Sequence, residues 1–148
     1  IPDLAIRTTM LVGYPGETEA DFEELKEFVR EAKFERLGVF TYSAEEGTYS
    51  AEKLTDDVPD DVKQARADEI MQLQSAISYN YNASREGRVE RVIVDGKVDG
   101  RWVARSQYDS PEVDTEIEFI TEKRLRRGCF YNVRIVEADE YDLGAELI

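Results

Sequence analysis

The sequence predicts an α/β segment followed by an all-β domain: a βαβ portion of a parallel sheet, then a five-stranded OB-like β-barrel. Three observations carry this. The first 42 residues run strand, helix, strand. The hydrophobic period changes from helical to alternating at Arg88. From there five short apolar segments follow one another with turn material between them and no helical pattern.

Residues 4–12, LAIRTTMLV, are apolar and β-branched and predict a buried strand. The segment LVGYPGET at residues 11–18 then turns abruptly, with a strand ending and a helix beginning within four residues. Thr18 suits the N-cap and Asp21 its capping-box partner. Phe22, Leu25, Phe28, Val29 and Ala32 recur at helical spacing, Glu23, Glu24, Lys26, Glu27 and Glu31 take the other face, and the helix ends near Lys33. LGVFTY at residues 37–42 is the second strand, completing a βαβ unit. A polar stretch runs from Ser43 to Asp57. Pro59, Asp60 and Asp61 open a second helix with the residue types a first turn prefers. Its apolar stripe is Val62, Ala65, Ile70, Leu73 and Ile77; it fades through Ser78 to Arg85 and stops at Gly87. RVERVIVDG alternates, with Val89, Val92 and Val94 apolar; RWVARSQY, TEIEFIT, FYNVRIVEA and a short GAELI follow. DGKVDG, DSPEVD and KRLRRG are the turns between them. The boundary falls between residues 81 and 87, giving domains 1–81 and 84–148. A lone βαβ unit leaves sheet edges open, so residues 1–81 read as a piece of a larger sheet.

The 148 residues carry 19 Lys plus Arg against 33 Asp plus Glu, a net charge of −14. Residues 1–81 hold 8 basic and 18 acidic side chains (−10), and residues 82–148 hold 11 and 15 (−4). Such a chain is a poor match for a phosphate backbone and a better one for a basic protein. There is no histidine, which excludes Ser-His-Asp and Cys-His nucleophilic systems and His-containing zinc sites. Cys129 is the one cysteine; it allows no internal disulfide, which points to a reducing cytoplasm, and it cannot hold an iron–sulfur cluster alone. No apolar run approaches the ~20 residues that span a bilayer, and no signal or transit peptide is visible.

RTTMLVGYPGETEADFEEL (residues 7–25) resembles the fifth strand and following helix of radical S-adenosylmethionine enzymes of the methylthiotransferase family. VFTYSAEEGTYSAEKL (39–54) resembles that family's next strand and its YSxEEGT segment, and the barrel resembles a TRAM domain. YDSPEVD (108–114) and EADEYDLGAEL (137–147) resemble segments of the branch that modifies a ribosomal protein. The chain departs at Ser110, where Ala is usual, at Thr115, where Gly is usual, at Tyr49, where Pro is common, and by one residue missing before Gly144.

The resemblance implies the C-terminal part of a radical S-adenosylmethionine partial TIM barrel, then a TRAM barrel. It implies an enzyme that uses S-adenosylmethionine and two [4Fe–4S] clusters. Its product is a methylthio group on the β-carbon of an aspartate in a basic small-subunit ribosomal protein, number twelve. The CxxxCxxC that binds the radical cluster is absent from this chain, so the chain is expected to bind no cluster and to be inactive alone. Ligands of such barrels sit at the C-terminal ends of strands. This implies cofactor-side roles for Arg7, Thr9, Leu11, Gly13 and the Val39, Phe40, Thr41 backbone. Gly13 would let a cofactor approach the main chain, Leu11 would offer apolar surface, and Arg7 would pair with a carboxylate. The expected docking surface for the basic protein is the loop Tyr108 to Asp114, with Tyr108, Asp109, Glu112 and Asp114, and the acidic segment Glu137 to Asp142, with Glu137, Asp139, Glu140 and Asp142.

Plainer readings stand beside these. From spacing alone, Gly13 to Gly16 make a tight strand–helix turn as readily as a cofactor loop, and Arg7 suits a barrel glutamate equally well. The acidic helix faces read as solvated, Cys129 as a small strand residue, and Trp102 and Tyr108 as packing in or on the barrel. Lys123, Arg124, Arg126 and Arg127, the one basic cluster, read as a solvated loop. Two other functions remain open: the tRNA-modifying branch of the family, and a non-catalytic OB module that stacks bases on aromatics. The charge argues against both, so tRNA is not the expected partner; nor is a membrane.

Overall fold

In the computed structural model, which describes residues 4–110 and 114–148, Arg7–Val12 (β1) and Arg36–Thr41 (β2) pair in parallel. Arg7 stands opposite Arg36 and Val12 opposite Thr41. Glu19–Ala32 (α1) joins them. Thr18 caps it as the sequence predicts: its hydroxyl accepts the Asp21 N–H and the Asp21 carboxylate accepts the Thr18 N–H. Lys33, in the left-handed region at φ 49°, ends it. Tyr49–Lys53 (α2) is a single short turn of helix within the polar stretch, capped by Thr48, and it buries nothing. Asp60–Ala83 (α3) follows.

The chain divides into two units, Ile1–Ile77 and Ser78–Ile148. In the first, Val12, Leu37, Phe22, Val29, Ala67 and Ile70 form the core, with Met10 and Val39 packed against it. Both helices therefore cover one face of the two-stranded sheet. The other face carries the exposed Arg7, Thr9 and Leu11 in alternation.

Two faces differ from the sequence expectation. On α1, Lys26 is buried and ion-paired to Glu23 and Glu69, while Phe28 is half exposed. On α3, Ala65 is exposed, and Lys63, Arg66 and Gln74 are buried beside Ala67 and Ile70. Their aliphatic stems supply apolar surface and their polar ends find partners, so a buried helix face need not be an apolar stripe.

The second unit holds Val89–Val98 (β3), Arg101–Arg105 (β4), Ile117–Phe119 (β5), Phe130–Ala138 (β6) and Leu143–Leu147 (β7). They close in the order β3-β4-β5-β7-β6, with β5 and β7 parallel and the other pairs antiparallel. Closure removes free edges. Alternate residues point inward, so Val92, Val94, Ala104, Ile117, Phe119, Val133, Ile135 and Leu143 make one core, with Trp102 against it. DGKVDG is not all turn: β3 runs on through Gly96 with a bulge at Val94/Gly96, and the hairpin turns at Asp99 and Gly100. Both have positive φ, 47° and 87°, as the tightest hairpin turns require.

Candidate functional site

At the C-terminal end of β1 the chain turns through Gly13 (φ +75°) and Gly16 (φ +85°). The Gly13 N–H donates to the Glu17 carboxylate at 3.0 Å, and Arg66 Nη1 donates to the same oxygen at 2.6 Å. The Gly16 N–H donates to Asp57 Oδ1 at 2.7 Å. The Lys63 stem lies over Gly13: a Cβ there would come within 2.3 Å of Lys63 Cγ. Lys63 Nζ donates to Asp56 Oδ2 at 2.6 Å, and the ammonium stands 5.4 Å from the Tyr42 ring centroid. Hydrogen bonding to Asp56 holds the Lys63 pKa above its ordinary value, against the opposing effect of burial. Positive φ and the Lys63 stem together account for glycine at position 13, and the space before it is filled by this chain.

The residues expected on the cofactor side separate accordingly. Arg7, Thr9 and Leu11 share the open sheet face, where Leu11 stands opposite the exposed Phe40 and Thr9 opposite Gly38. Val39 packs toward the helices, and Thr41 is half-buried. Among the described residues, no group of three His, Cys, Asp or Glu side chains is arranged to hold a metal ion. With a single cysteine, this chain does not fit the ligand demand of a [4Fe–4S] cluster. The open face carries a guanidinium, a hydroxyl and two apolar side chains.

In the barrel unit the docking residues also separate. Arg85 is fully buried. Its Nε and Nη2 donate to the two Glu90 oxygens at 3.0 and 2.8 Å, and Nη2 also to Ser106 Oγ at 3.0 Å and Asp109 Oδ2 at 3.2 Å. The Tyr81 and Tyr108 ring centroids lie 5.7 and 5.6 Å from the guanidinium. Burial opposes the Arg85 charge, but bonding to Glu90 and the Asp109 charge outweigh it and raise the pKa. Asp109 is thus sealed inside as a counter-ion of Arg85 rather than presented on a surface loop. Tyr108 is half-buried against the same cation. Asp114 is half-buried and accepts the Ser110 N–H at 2.7 Å. Glu112 lies outside the described residues.

Asp142, by contrast, lines a groove of about 220 Å³ with Glu118, Glu137, Asp139, Arg101, Leu143 and Gly144. Glu140, exposed, sits in the same β6–β7 turn. Asp139 Oδ1 fixes that turn by accepting the Tyr141 and Asp142 N–H groups, each at 2.7 Å. Asp142 accepts the Glu116 N–H at 3.1 Å. Gly144 admits Glu137 alongside it, where a Cβ would meet the Glu137 Cβ at 3.1 Å. Burial, then the neighbouring carboxylates of Asp139 and Glu118, push the Asp142 carboxyl up despite that bond. Burial and Asp142 do the same to Glu116. Four carboxylates and one arginine line the groove, and Arg101 Nη1 pairs with Glu118 Oε2 at 3.1 Å. Glu137 and Asp139 lie in the acidic segment 137–142 that the sequence offers as a docking surface, whereas Glu118, not singled out from sequence, is brought in by β5–β7 pairing.

Residues 87–148 match the family model of the TRAM domain. The whole chain is similar to three proteins named ribosomal protein uS12 methylthiotransferase RimO. The Flavobacterium johnsoniae protein is 54% identical over 99% of this chain and 33% of its own length. The Bacteroides thetaiotaomicron protein is 47% identical over 100% and 34%. The Porphyromonas gingivalis protein is 47% identical over 100% and 35%. The chain therefore spans about a third of the length of the relatives it matches.

Proposed function

We propose that this chain, about half identical along its whole length to ribosomal protein uS12 methylthiotransferases, is the C-terminal part of such an enzyme: the end of its radical S-adenosylmethionine domain and its TRAM domain. The observation that supports the reading is that the similarity covers both units. In the full-length protein, S-adenosylmethionine and two [4Fe–4S] clusters supply the radical and the sulfur, and the cluster ligands belong to the remaining two thirds. The contribution of this chain is binding and orientation. Arg7 and Thr9 offer a cation and a hydroxyl to the amino-acid end of the cofactor, and Leu11 with Phe40 offers apolar surface to its base. Gly13 serves by letting the turn close over itself under Lys63.

The barrel groove takes a lysine or arginine of the basic substrate protein, relieving the crowding of Glu118, Glu137, Asp139 and Asp142. The test uses the full-length reconstituted enzyme with uS12 and with tRNA as alternative substrates, read by mass spectrometry. The expected product is a methylthio group on a uS12 aspartate. In the Glu137→Gln/Asp142→Asn variant KM for uS12 should rise several-fold while kcat holds, since docking charges act mainly on encounter. Modification of tRNA with none of uS12 would move the chain to the tRNA-modifying branch.

A further inference from the structure

Most of the chain's nine glycines have a reason that the fold supplies. Six stand at positive φ, Gly96 sits at the β3 bulge, and Gly144 makes room for Glu137. Gly38 has none of these. It lies inside β2 with φ outside the left-handed region, and a Cβ built on it would meet no described atom within 4 Å beyond its chain neighbours. Glycine inside a strand weakens it, through chain entropy and the missing side chain. The strand carries that weakness with no return from the described residues. By alternation Gly38 belongs to the open face of the sheet: Leu37 and Val39 pack into the core, and Phe40 stands exposed on the other side. Its partner across the ladder is Thr9; Leu11 and Phe40 pair two residues on, and Arg7 and Arg36 two residues back. In a chain with 33 Asp plus Glu, β1 and β2 hold these two arginines and no acidic residue. Glu35, just before β2, accepts the Ile6 N–H at 2.9 Å.

We propose that Gly38 is a specificity-determining residue: it keeps open, on the free face of β1 and β2, the place where the main chain of the aspartate-bearing segment of the substrate protein lies. The inference rests on the reading of this chain as part of a uS12 methylthiotransferase, and it names where on the chain the target residue is received. A strand glycine without a local cause lets another main chain come close, and a Cβ at this point would hold that chain away. The target residue is an anion. The two strands that receive it bring arginines and no carboxylate, whereas most of this chain's surface would repel it. The place is bounded toward the C-terminal end of the strands by Leu11 and Phe40, and the arginine pair stands about 7 Å away along the strand on the other side. A side chain at position 38 leaves all of these groups where they are and removes only the space.

The experiment makes Gly38→Ala and Gly38→Val in the full-length reconstituted enzyme and in this chain. In the enzyme, Gly38→Val should raise KM for uS12 by about tenfold, and should weaken uS12 binding by the same factor when read by fluorescence anisotropy without turnover. Gly38→Ala should do so by roughly threefold. KM for S-adenosylmethionine should hold in both. In this chain alone Gly38→Val should melt no earlier than the parent, because a β-branched residue suits a strand and meets nothing here. Unchanged uS12 binding by folded Gly38→Val would overturn the proposal. So would a rise in KM for S-adenosylmethionine with uS12 affinity intact, which would give the place to the cofactor. Earlier melting of the full-length Gly38→Val enzyme, with this chain unaffected, would give it to the enzyme's own remaining two thirds and equally overturn it. Earlier melting of this chain would show that folding itself needs the glycine, with the same result. An unsubstituted enzyme that modifies tRNA and not uS12 would sink the underlying reading and this inference together, whereas normal uS12 kinetics in Gly38→Val would sink the inference alone.

Discussion

Every strand of the barrel between Val89 and Leu147 has a neighbour on both sides, whereas β1 and β2 pair only with each other among the described residues. The barrel buries its core inside the sheet itself; the first unit covers one sheet face with α1 and α3 and leaves Leu11 and Phe40 exposed on the other. The difference extends to how each unit handles buried charge. In the barrel a single cation, Arg85, is sealed with two carboxylates where side-chain exposure is 1%, 9% and 0% for Arg85, Glu90 and Asp109. In the first unit Lys63 and Arg66 run their stems through the interior and end partly on open carboxylates at its edge, Asp56 and Glu19, with Glu17 as the one largely buried partner. A sealed network is costly to break and an edge network is forgiving.

That contrast is broken or sharpened first at Arg85. Arg85→Met removes the cation and leaves the carboxylates of Glu90 and Asp109 buried without their counter-charge, which should destabilise the barrel by about 3–5 kcal/mol. Trp102, the one tryptophan, packs on the barrel core and reports this unit in a urea melt. Adding Glu90→Gln and Asp109→Asn should recover much of the loss, because the penalty is the orphaned charge rather than the missing contact. A single Arg85→Met variant that melts like the parent would mean the network is not sealed.

Gly13 tests the other unit. Alanine at this position adopts the left-handed region at a cost of roughly 1–2 kcal/mol and presses on the Lys63 stem, another ~1–2 kcal/mol of overpacking. Hydrogen exchange of peptides spanning β1 to β2 should speed up, while the Trp102 melt stays put. Lys63→Ala in the same background should remove the packing share only. Unchanged exchange on Gly13→Ala would show that the turn is not held from above by Lys63.

A smaller effect is expected where the barrel meets the end of α3. Asn82 Nδ2 donates to the Asp139 carbonyl at 3.0 Å, and Tyr81 stacks on Arg85. A fragment of residues 84–148 should fold cooperatively, about 1–2 kcal/mol less stable than one starting at Ser78. Residues 1–81 alone should aggregate or exchange rapidly, having an open edge and an uncovered face. A monomeric, stable 1–81 would erase the contrast drawn between the two units.

What the sequence made legible follows the same line. The βαβ order, the Thr18–Asp21 capping box and the closed five-stranded barrel come from local spacing, and local spacing carried them. The buried faces of α1 and α3 were misread because periodicity counts apolar residues, and Lys26, Lys63 and Arg66 bury apolar stems beneath charged ends. Arg66 reaches Glu17 across 49 positions, and Arg85 reaches Asp109 across 24, separations at which no sequence window reports a pair. Asp109 and Asp142 looked alike as acids in loop segments; only the fold sets one against a buried arginine and the other in a carboxylate groove. Gly13 was legible as a glycine that something must crowd. That the crowding group is Lys63 is a tertiary fact.

The smallest expected effect concerns pH, and it takes opposite signs in the two units. Hydrogen bonds from the Thr18 side chain and backbone lower the Asp21 pKa below its ordinary 3.8. A lowered carboxylate contributes stability above its unfolded value and loses it as pH falls through the folded one. The start of α1 should therefore hold from pH 7 down to about 4 and weaken below that. In the barrel, burial followed by neighbouring carboxylates raises Asp142 above 3.8 and Glu116 above 4.5. A raised carboxyl works the other way: its contribution is present below the unfolded value and is lost as pH rises through the folded one. The barrel should accordingly gain stability as pH falls from 7 toward 4.5, before the α1 cap begins to fail. Asp142→Asn should abolish part of that gain and raise the melting point at pH 7, because the amide still accepts the Glu116 N–H without adding charge. A basic peptide bound in the groove should mimic the substitution, holding Asp142 ionised and flattening the same pH profile. Hydrogen exchange followed separately in the two units between pH 4 and 7 reads both signs at once, and parallel weakening of the two over pH 7 to 5 would remove the electrostatic part of the contrast.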